Sequence, residues 1–304
     1  MTNKKKILIV GGTGFLGFHF AKLSLKKKWI VHSISSKKPK KKRFLKKVKY
    51  IICDISKKKQ ISKIGLNYDY VFNFGGYVDH TNRKKTLDSH YHGCKNLANH
   101  FLKSKIKCFI QIGSSTEYGN SKSPQKESFK TSIKKLKSTY AQAKLKSTRY
   151  LLQLNKKYNF PATILRLYLV YGPYQDINRF LPIIIEGCLQ DKDFDTSNGK
   201  QKRDFLFVSD LNELIIKVVK KQNKKAEIFN IGSGKPQTLK DIILQVQKKI
   251  KKGKPNFGKV KLRKDEILNL YPNIDKAKKK LNWKPKTSFL SGLNKTIKYY
   301  KKQK

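Results

Sequence analysis

Tyr140 and Lys144 stand four residues apart in "YAQAK", a spacing that puts both side chains on one face of a helix. A phenol is a weak base at its free pKa of ~10. A neighbouring ammonium would favour the phenolate. Tyr140 is then suited to take a proton from a substrate hydroxyl, and Lys144 to hold the hydroxyls of a ligand beside it. Upstream, "IGSSTEYG" offers Ser114, Ser115 and Thr116; a hydroxyl there can donate to the same substrate oxygen and steady it. In a chain this rich in lysine, Y-x-x-x-K also arises as an exposed helical pair, and a Ser/Thr-rich stretch as an ordinary turn. Position in the fold decides between these readings.

The elements that would position these groups alternate from the start. "KILIV" reads as a buried strand and 15–27 as a helix. Further strands are predicted over 29–35, 49–55, 68–76, 107–115 and 162–172, with helices over 86–104 and 138–157. Short apolar strands alternating with helices predict an α/β fold, a doubly wound parallel sheet covered on both faces. After Gly172 the rhythm changes. A helix is expected over 176–190, then a strand feeding a helix capped by Ser209 or Asp210 over 203–219. A strand over 227–234, a helix over 238–250 capped by Thr238, and a helical tail complete the chain. The expected organisation is a dinucleotide-binding domain over 1–172, with 207–232 returning to it. A smaller substrate-binding domain would cover 173–304, chiefly 173–206 and 233–304.

In such a sheet, ligands sit beyond the carboxyl ends of the strands, where the strand order reverses. The first strand runs into "GGTGFLG", with Gly11, Gly14 and Gly17 framing Phe15 and Leu16 at a helix start. A helix N-terminus with unpaired N–H groups attracts a diphosphate. Gly11 is expected to make the tight turn, Gly14 to admit the pyrophosphate and Gly17 to let the helix pack on the sheet. The second strand ends in "SISSKK" with no carboxylate for the adenosine ribose. Ser35, Ser36 and Lys37 could instead hold a 2′-phosphate, so the cofactor is NAD or NADP with a lean to NADP. Asp54, followed by Ile55, could meet the adenine amino group, and Phe74, Gly75 and Gly76 would let the ribose-phosphate pass.

The net charge of the 304 residues is +52, from 71 basic and 19 acidic side chains. Lysine is spread through every segment and only seven of the basic residues are arginine, the residue whose fork suits phosphate and guanine. The charge therefore reads as a compositional drift, and nucleic acid is not the expected partner. Four scattered cysteines without a C-x-x-C suggest neither disulfide framework nor zinc site, and fit a reducing cytoplasm. His90 and His92 form an H-x-H pair with no further ligands nearby, so no metal is expected. No stretch approaches the ~20 apolar residues of a membrane span.

Together "GGTGFLG", "CDI", "GSSTEYG", "YAQAK", "RLYLVYGP", "GKQKRDFLFVSDL" and "LNWKPK" resemble, in order and spacing, the extended short-chain dehydrogenase/reductases, in the branch of NAD-dependent epimerase/dehydratases acting on nucleotide sugars. The resemblance implies a Rossmann fold, Tyr140 as acid/base with Lys144 as its partner, and Ser114 as the catalytic hydroxyl. It implies a nucleotide-diphosphate sugar held by Ser115, Thr116, Arg179, Arg203, Arg263 and Glu266, and a homodimer paired through the helices near 86–104 and 138–157. Sugar 4,6-dehydratases carry Asp-Glu after the catalytic threonine. Ser115 and Thr116 stand there, so 4-epimerisation or 4-keto reduction is expected instead. Leu169 replaces the asparagine before "VYGP", and His90 or Ser89 takes the place of the asparagine that supports the lysine. The competing reading is a non-catalytic dinucleotide-binding sensor or nucleic-acid-associated protein. An intact Ser114, Tyr140 and Lys144 set argues against it.

Overall fold

The computed structural model describes residues 4–221, 225–262 and 266–303. β1 (Lys6–Val10), α1 (Phe15–Lys26), β2 (Ile30–Ser35), β3 (Val48–Ile52), α2 (Lys58–Ile61) and β4 (Tyr70–Asn73) come first. Next come α3 (Arg83–Leu87), a π-helical turn (Asp88–His92), α4 (Gly93–His100), β5 (Cys108–Ser114), α5 (Thr139–Tyr158) and β6 (Ala162–Leu167). The chain continues through β7 (Leu169–Tyr171), α6 (Phe180–Leu189), β8 (Asp193–Asp195), β9 (Lys202–Arg203), β10 (Phe205–Phe207), α7 (Val208–Lys221) and β11 (Glu227–Ile231). It closes with β12 (Gln237–Thr238), α8 (Leu239–Ile250), β13 (Lys254–Asn256), β14 (Asn269–Leu270), α9 (Asp275–Leu281) and α10 (Phe289–Lys301).

Seven strands form one sheet in the order β11-β6-β5-β4-β1-β2-β3. β1 pairs in parallel with both β2 and β4, so the order reverses beside it, and ligands of doubly wound sheets bind at that switch point. Both faces of the central strands are covered: β4, β5 and β6 are buried at every residue, as parallel strands clad by helices must be.

The chain divides into two compact units. The first comprises Met1–Gly119, Glu127–Leu167 and Asn212–Phe229; the second comprises Asn120–Lys126, Tyr168–Leu211 and Asn230–Lys304. One face of the first unit's core holds Leu8, Val10, Phe101, Phe109 and Ile164. Tyr171, Ile185, Phe205, Ile242 and Leu293 lie in the core of the second. Tyr168 already belongs to the second unit, where its N–H donates to Ile231 O (3.2 Å) and its hydroxyl to Gln125 Oε1 (2.7 Å).

Several elements differ from the sequence expectation. The strand foreseen over 162–172 breaks at Tyr168, and its second half, β7, pairs with β10 instead. The helix foreseen over 86–104 is two α-segments joined by the π-turn, and 176–190 is helical only from Phe180. Neither Ser209 nor Asp210 caps α7, which already starts at Val208. Asp210 instead accepts from Thr287 N (3.0 Å) and Thr287 Oγ1 (3.1 Å). Thr238 does cap α8, its hydroxyl accepting from Asp241 N.

All four cysteines are free and buried. Among the described residues no cluster of three His, Cys, Asp or Glu could hold a metal ion, and no helix is long and apolar enough to cross a membrane.

Candidate active site

The turn after β1 is built for a close approach. Gly11 has φ +74°, the left-handed region where L side chains are strained, and its N–H donates to Ile34 O (2.8 Å). A Cβ at Gly11 would stand 3.0 Å from the Gly75 backbone, so the turn and the end of β4 touch. Gly14 is the N-cap of α1, and neither a capping side chain nor an acidic residue covers that end. Its first N–H groups and positive pole therefore suit an anion. A Cβ at Gly17 would sit 2.4 Å from Gly11 O and 2.7 Å from Gly12 Cα. The third glycine thus lets α1 close on the backbone that directly follows β1. These features fit a dinucleotide diphosphate.

Around this cradle, Phe15 meets His19 edge-on (5.3 Å), and Phe74 stacks on Phe72. Leu16 is half-buried at the start of α1. Ser35 Oγ donates to Ile34 O (2.8 Å) and accepts from Thr13 Oγ1 (3.1 Å), while Ser36 and Lys37 are exposed. Asp54 Oδ1 accepts from Ser56 N (2.9 Å), and Ile55 is buried in the core. A Cβ at Gly76 would fall 2.0 Å from His90 Cε1.

Ser138 caps α5 through Ala141 N (3.1 Å), two residues ahead of Tyr140. Tyr140 and Lys144 share a face, with the ammonium 5.7 Å from the phenol ring centroid. Lys144 is buried and donates to Ile112 O (2.7 Å), two residues before Ser114 on β5. An ammonium has three donors, so this bond alone does not use up its hydrogens. Gln111 Nε2 shares Ile112 O (3.0 Å), Asn73 Nδ2 donates to Gln111 Oε1 (2.8 Å), and Gly75 N donates to Asn73 Oδ1 (3.1 Å). A buried polar line therefore runs from the end of β4 to the lysine.

Two histidines flank the phenol. His80 stacks on Tyr140 and His90 meets it edge-on. The π-turn carrying His90 latches the loop after β4 through one residue: His90 Nε2 bonds Tyr77 O (3.0 Å), and Tyr77 N donates to Ser89 Oγ (3.0 Å). Burial, then the charge of Lys144, pushes the His90 imidazole down to about 2. Ser89 and His90 thus hold the loop backbone, and among the described contacts neither side chain bonds Lys144. His92 is exposed, so the H-x-H pair points two ways.

Ser114 ends β5 and accepts from Thr116 N (3.2 Å) and Thr116 Oγ1 (2.9 Å). Both acceptor positions are used, which leaves the Ser114 hydrogen to donate outward. Ser115 is buried. Sequence reasoning missed what lies beneath. Glu117, fully buried, accepts from Ser114 N (2.9 Å) through Oε1, and from Thr148 Oγ1 (2.8 Å) and Arg166 Nε (2.9 Å) through Oε2. The Arg166 guanidinium lies over the Tyr118 ring at 4.4 Å. Burial works against its charge, but Glu117 and Tyr118 outweigh it and raise its pKa. The signal was an arginine in the middle of the apolar strand "ATILRL", a charge that cannot be buried without a partner.

In the second unit, Arg203 is buried and hydrogen-bonds Lys202 O (2.9 Å) and Leu268 O (3.2 Å). Its other terminal nitrogen pairs with Glu266, so two expected substrate residues here bind each other. Burial lowers the Arg203 pKa, against the pull of Glu266. Arg179 is exposed at the N-cap of α6. Leu169 is also exposed. Arg263 lies outside the described residues.

A switch-point glycine turn, a Tyr-x-x-x-Lys helix face and a hydroxyl at the end of the neighbouring strand define an enzyme of the extended short-chain dehydrogenase/reductase type. The sequence profile of the NAD dependent epimerase/dehydratase family matches residues 7–232, and the chain belongs to that family. It is 28% identical to Protein CapI of Staphylococcus aureus over 97% of this chain and 98% of that one. Its fold matches a UDP-glucose 4-epimerase from Thermotoga maritima solved with UDP-glucose (TM-score 0.90, 23% identity, 98% and 99% of the two chains). It also matches a UDP-glucuronic acid 4-epimerase from Bacillus cereus in complex with UDP-glucuronic acid and NAD (TM-score 0.89, 24% identity, 98% and 100%).

Proposed function

We propose that this enzyme acts on a nucleotide-diphosphate sugar by hydride transfer at a sugar carbon, C4, as a 4-epimerase or a 4-ketoreductase. The observation that carries the reading is Lys144: buried, one helical turn after Tyr140, and hydrogen-bonded to Ile112 O on the strand that delivers Ser114. That arrangement ties an acid/base phenol, a cation and a hydroxyl donor to one strand end.

The glycine turn at Gly11–Gly17 and the N-terminus of α1 would hold the diphosphate of NAD or NADP, and Lys144 the nicotinamide ribose. When bound, the nicotinamide ring supplies the place where a hydride is taken up or given back. Tyr140 Oη takes the proton of the sugar 4-hydroxyl on oxidation and returns one on reduction. Ser114 donates its free hydrogen to the same oxygen and steadies the charge that develops there. Ser115 and Thr116 bring no carboxylic acid to the sugar, which supports epimerisation or reduction over loss of water. Arg203 is the group proposed for the substrate diphosphate, since a guanidinium binds it bidentately; Glu266 would then release it. The serine–lysine run after β2 supports NADP beside NAD.

The test is incubation of the purified protein with UDP-, CDP-, GDP- and dTDP-sugars, 4-keto forms included, with NAD, NADH or NADPH. Products are followed by NMR and cofactor by absorbance. Interconversion of C4 epimers without net redox identifies the epimerase, and stoichiometric cofactor consumption the reductase. No turnover of any nucleotide sugar, with cofactor bound, overturns the reading.

A further inference from the structure

We propose that Glu117 is a positioning residue, a buried strut that fixes the Ser114 hydroxyl relative to the Tyr140–Lys144 face of α5. The inference rests on the role proposed above for Ser114.

Three elements meet at this carboxylate. Through Oε1 it holds Ser114 N, at the end of β5. Through Oε2 it holds Thr148 Oγ1 on α5 and Arg166 Nε on β6. Thr148 follows Lys144 by four residues and Tyr140 by eight, so it belongs to the same helical row. The carboxylate therefore bridges the segment bearing the hydroxyl donor and the helix bearing the base. Arg166 comes from the neighbouring strand, its Cα registered opposite Gly113. A Cβ at Gly113 would stand 2.6 Å from Glu117 Oε1, so only glycine leaves the strut its place.

The chemistry of the site explains why a charge is used. Ser114 must keep its hydrogen free, so the segment cannot be anchored through that hydroxyl as a donor. It is anchored through its backbone N–H instead, and Thr116 occupies the acceptor side of the oxygen. A carboxylate is acceptor-only and takes several N–H and O–H donors at once; a neutral amide would bring a donor toward Arg166. A buried ion pair of this kind is better evidence for defined geometry than for stability.

The experiment uses the full chain with Glu117→Gln, Thr148→Val, Ser114→Ala and the double variant Glu117→Gln/Ser114→Ala. Glu117→Gln is expected to lower kcat by about 10-fold or more, with sugar-nucleotide KM and NAD affinity changed less than about 2-fold. Thr148→Val removes one bond without removing the charge, and should lower kcat in the same direction by a few-fold. In the Ser114→Ala background Glu117→Gln should cost almost nothing further, because its effect runs through that hydroxyl. Multiplicative losses in the double variant, or a kcat unchanged in both single variants, would overturn the strut. Hydrogen exchange gives a reading independent of turnover: amides of Ser114 and Thr116 should exchange faster in either variant while those of β1 do not. Unchanged exchange there overturns the proposal even if the protein turns over no sugar, an outcome that by itself would remove only the functional assignment. Should Glu117→Gln fail to fold, Thr148→Val carries both measurements.

Discussion

The imidazole of His80 lies flat on the phenol of Tyr140, with ring centroids 4.0 Å apart and planes 15° from parallel. His80 comes from the loop after β4 and Tyr140 from the first turn of α5, so the contact sets one face of the proposed base from a distant part of the chain. Such pairs contribute about 0.5–1.5 kcal/mol beyond area burial. His80→Ala should lower kcat by roughly 2- to 10-fold, and His80→Phe should keep most of the activity. A loss of several hundred-fold in steady-state assays would mean that His80 takes part in the chemistry itself.

Tyr140→Phe removes one oxygen and leaves the stacked ring in place. Kinetics on the identified sugar nucleotide should show kcat reduced by about 10²- to 10⁴-fold, with NAD binding retained in calorimetry. Near-normal turnover would show that another group moves the proton.

Gly17→Ala places a methyl 2.4 Å from Gly11 O, a backbone atom that cannot swing aside. Strain of this kind costs about 1–3 kcal/mol, and it falls on the turn proposed to face the cofactor diphosphate. Both thermal stability and NAD affinity should drop. Gly65→Ala is the control, because a Cβ there meets nothing within 4 Å. Equal behaviour of the two variants would remove the glycine turn from the cofactor site.

Burial holds His90 neutral, its pKa pushed down to about 2 from 6.5. Between those values the unfolded chain binds a proton that the folded chain refuses. Stability is therefore full above pH 6.5 and falls as the medium is acidified toward 2, at up to about 1.4 kcal/mol per pH unit from this residue. In denaturant titrations from pH 7 to 4, His90→Gln should flatten that acid limb by about one proton. An unchanged slope would mean that His90 titrates normally.

Much of this was legible in the sequence because local chemistry and global position agreed. Gly11, Gly14 and Gly17 follow a strand that is apolar after Lys6, and "YAQAK" falls on a helix with Ser138 as its cap, so pattern and spacing placed the glycine turn and the tyrosine–lysine pair. The π-turn at Asp88–His92 was not legible, since "DSHYH" is polar and carries no apolar stripe whose phase would reveal an extra residue. The break of the sixth strand at Tyr168 was equally hidden: apart from Thr163 and Arg166 "ATILRLYLVYG" is apolar throughout, and the change of partner shows only in the pairing of Leu169–Tyr171 with Phe205–Phe207, far along the chain. Glu117 and Arg166 became a pair only when β5 and β6 lay side by side. Arg203 and Glu266 were each assigned to a ligand, yet with acid and base within reach they neutralise one another.

The four sequestered sulfhydryls give the molecule a built-in clock. Burial pushes Cys53 and Cys188 up to about 11, and Cys94 and Cys108 up to about 12, so at neutral pH almost no thiolate exists for a reagent to attack. An alkylating probe can modify them only when the surrounding structure opens. Cys188 sits in the second unit and the other three in the first, so the order in which they are labelled reports which unit loosens sooner, and a cofactor that tightens the first should slow three of them while leaving Cys188 to its own pace.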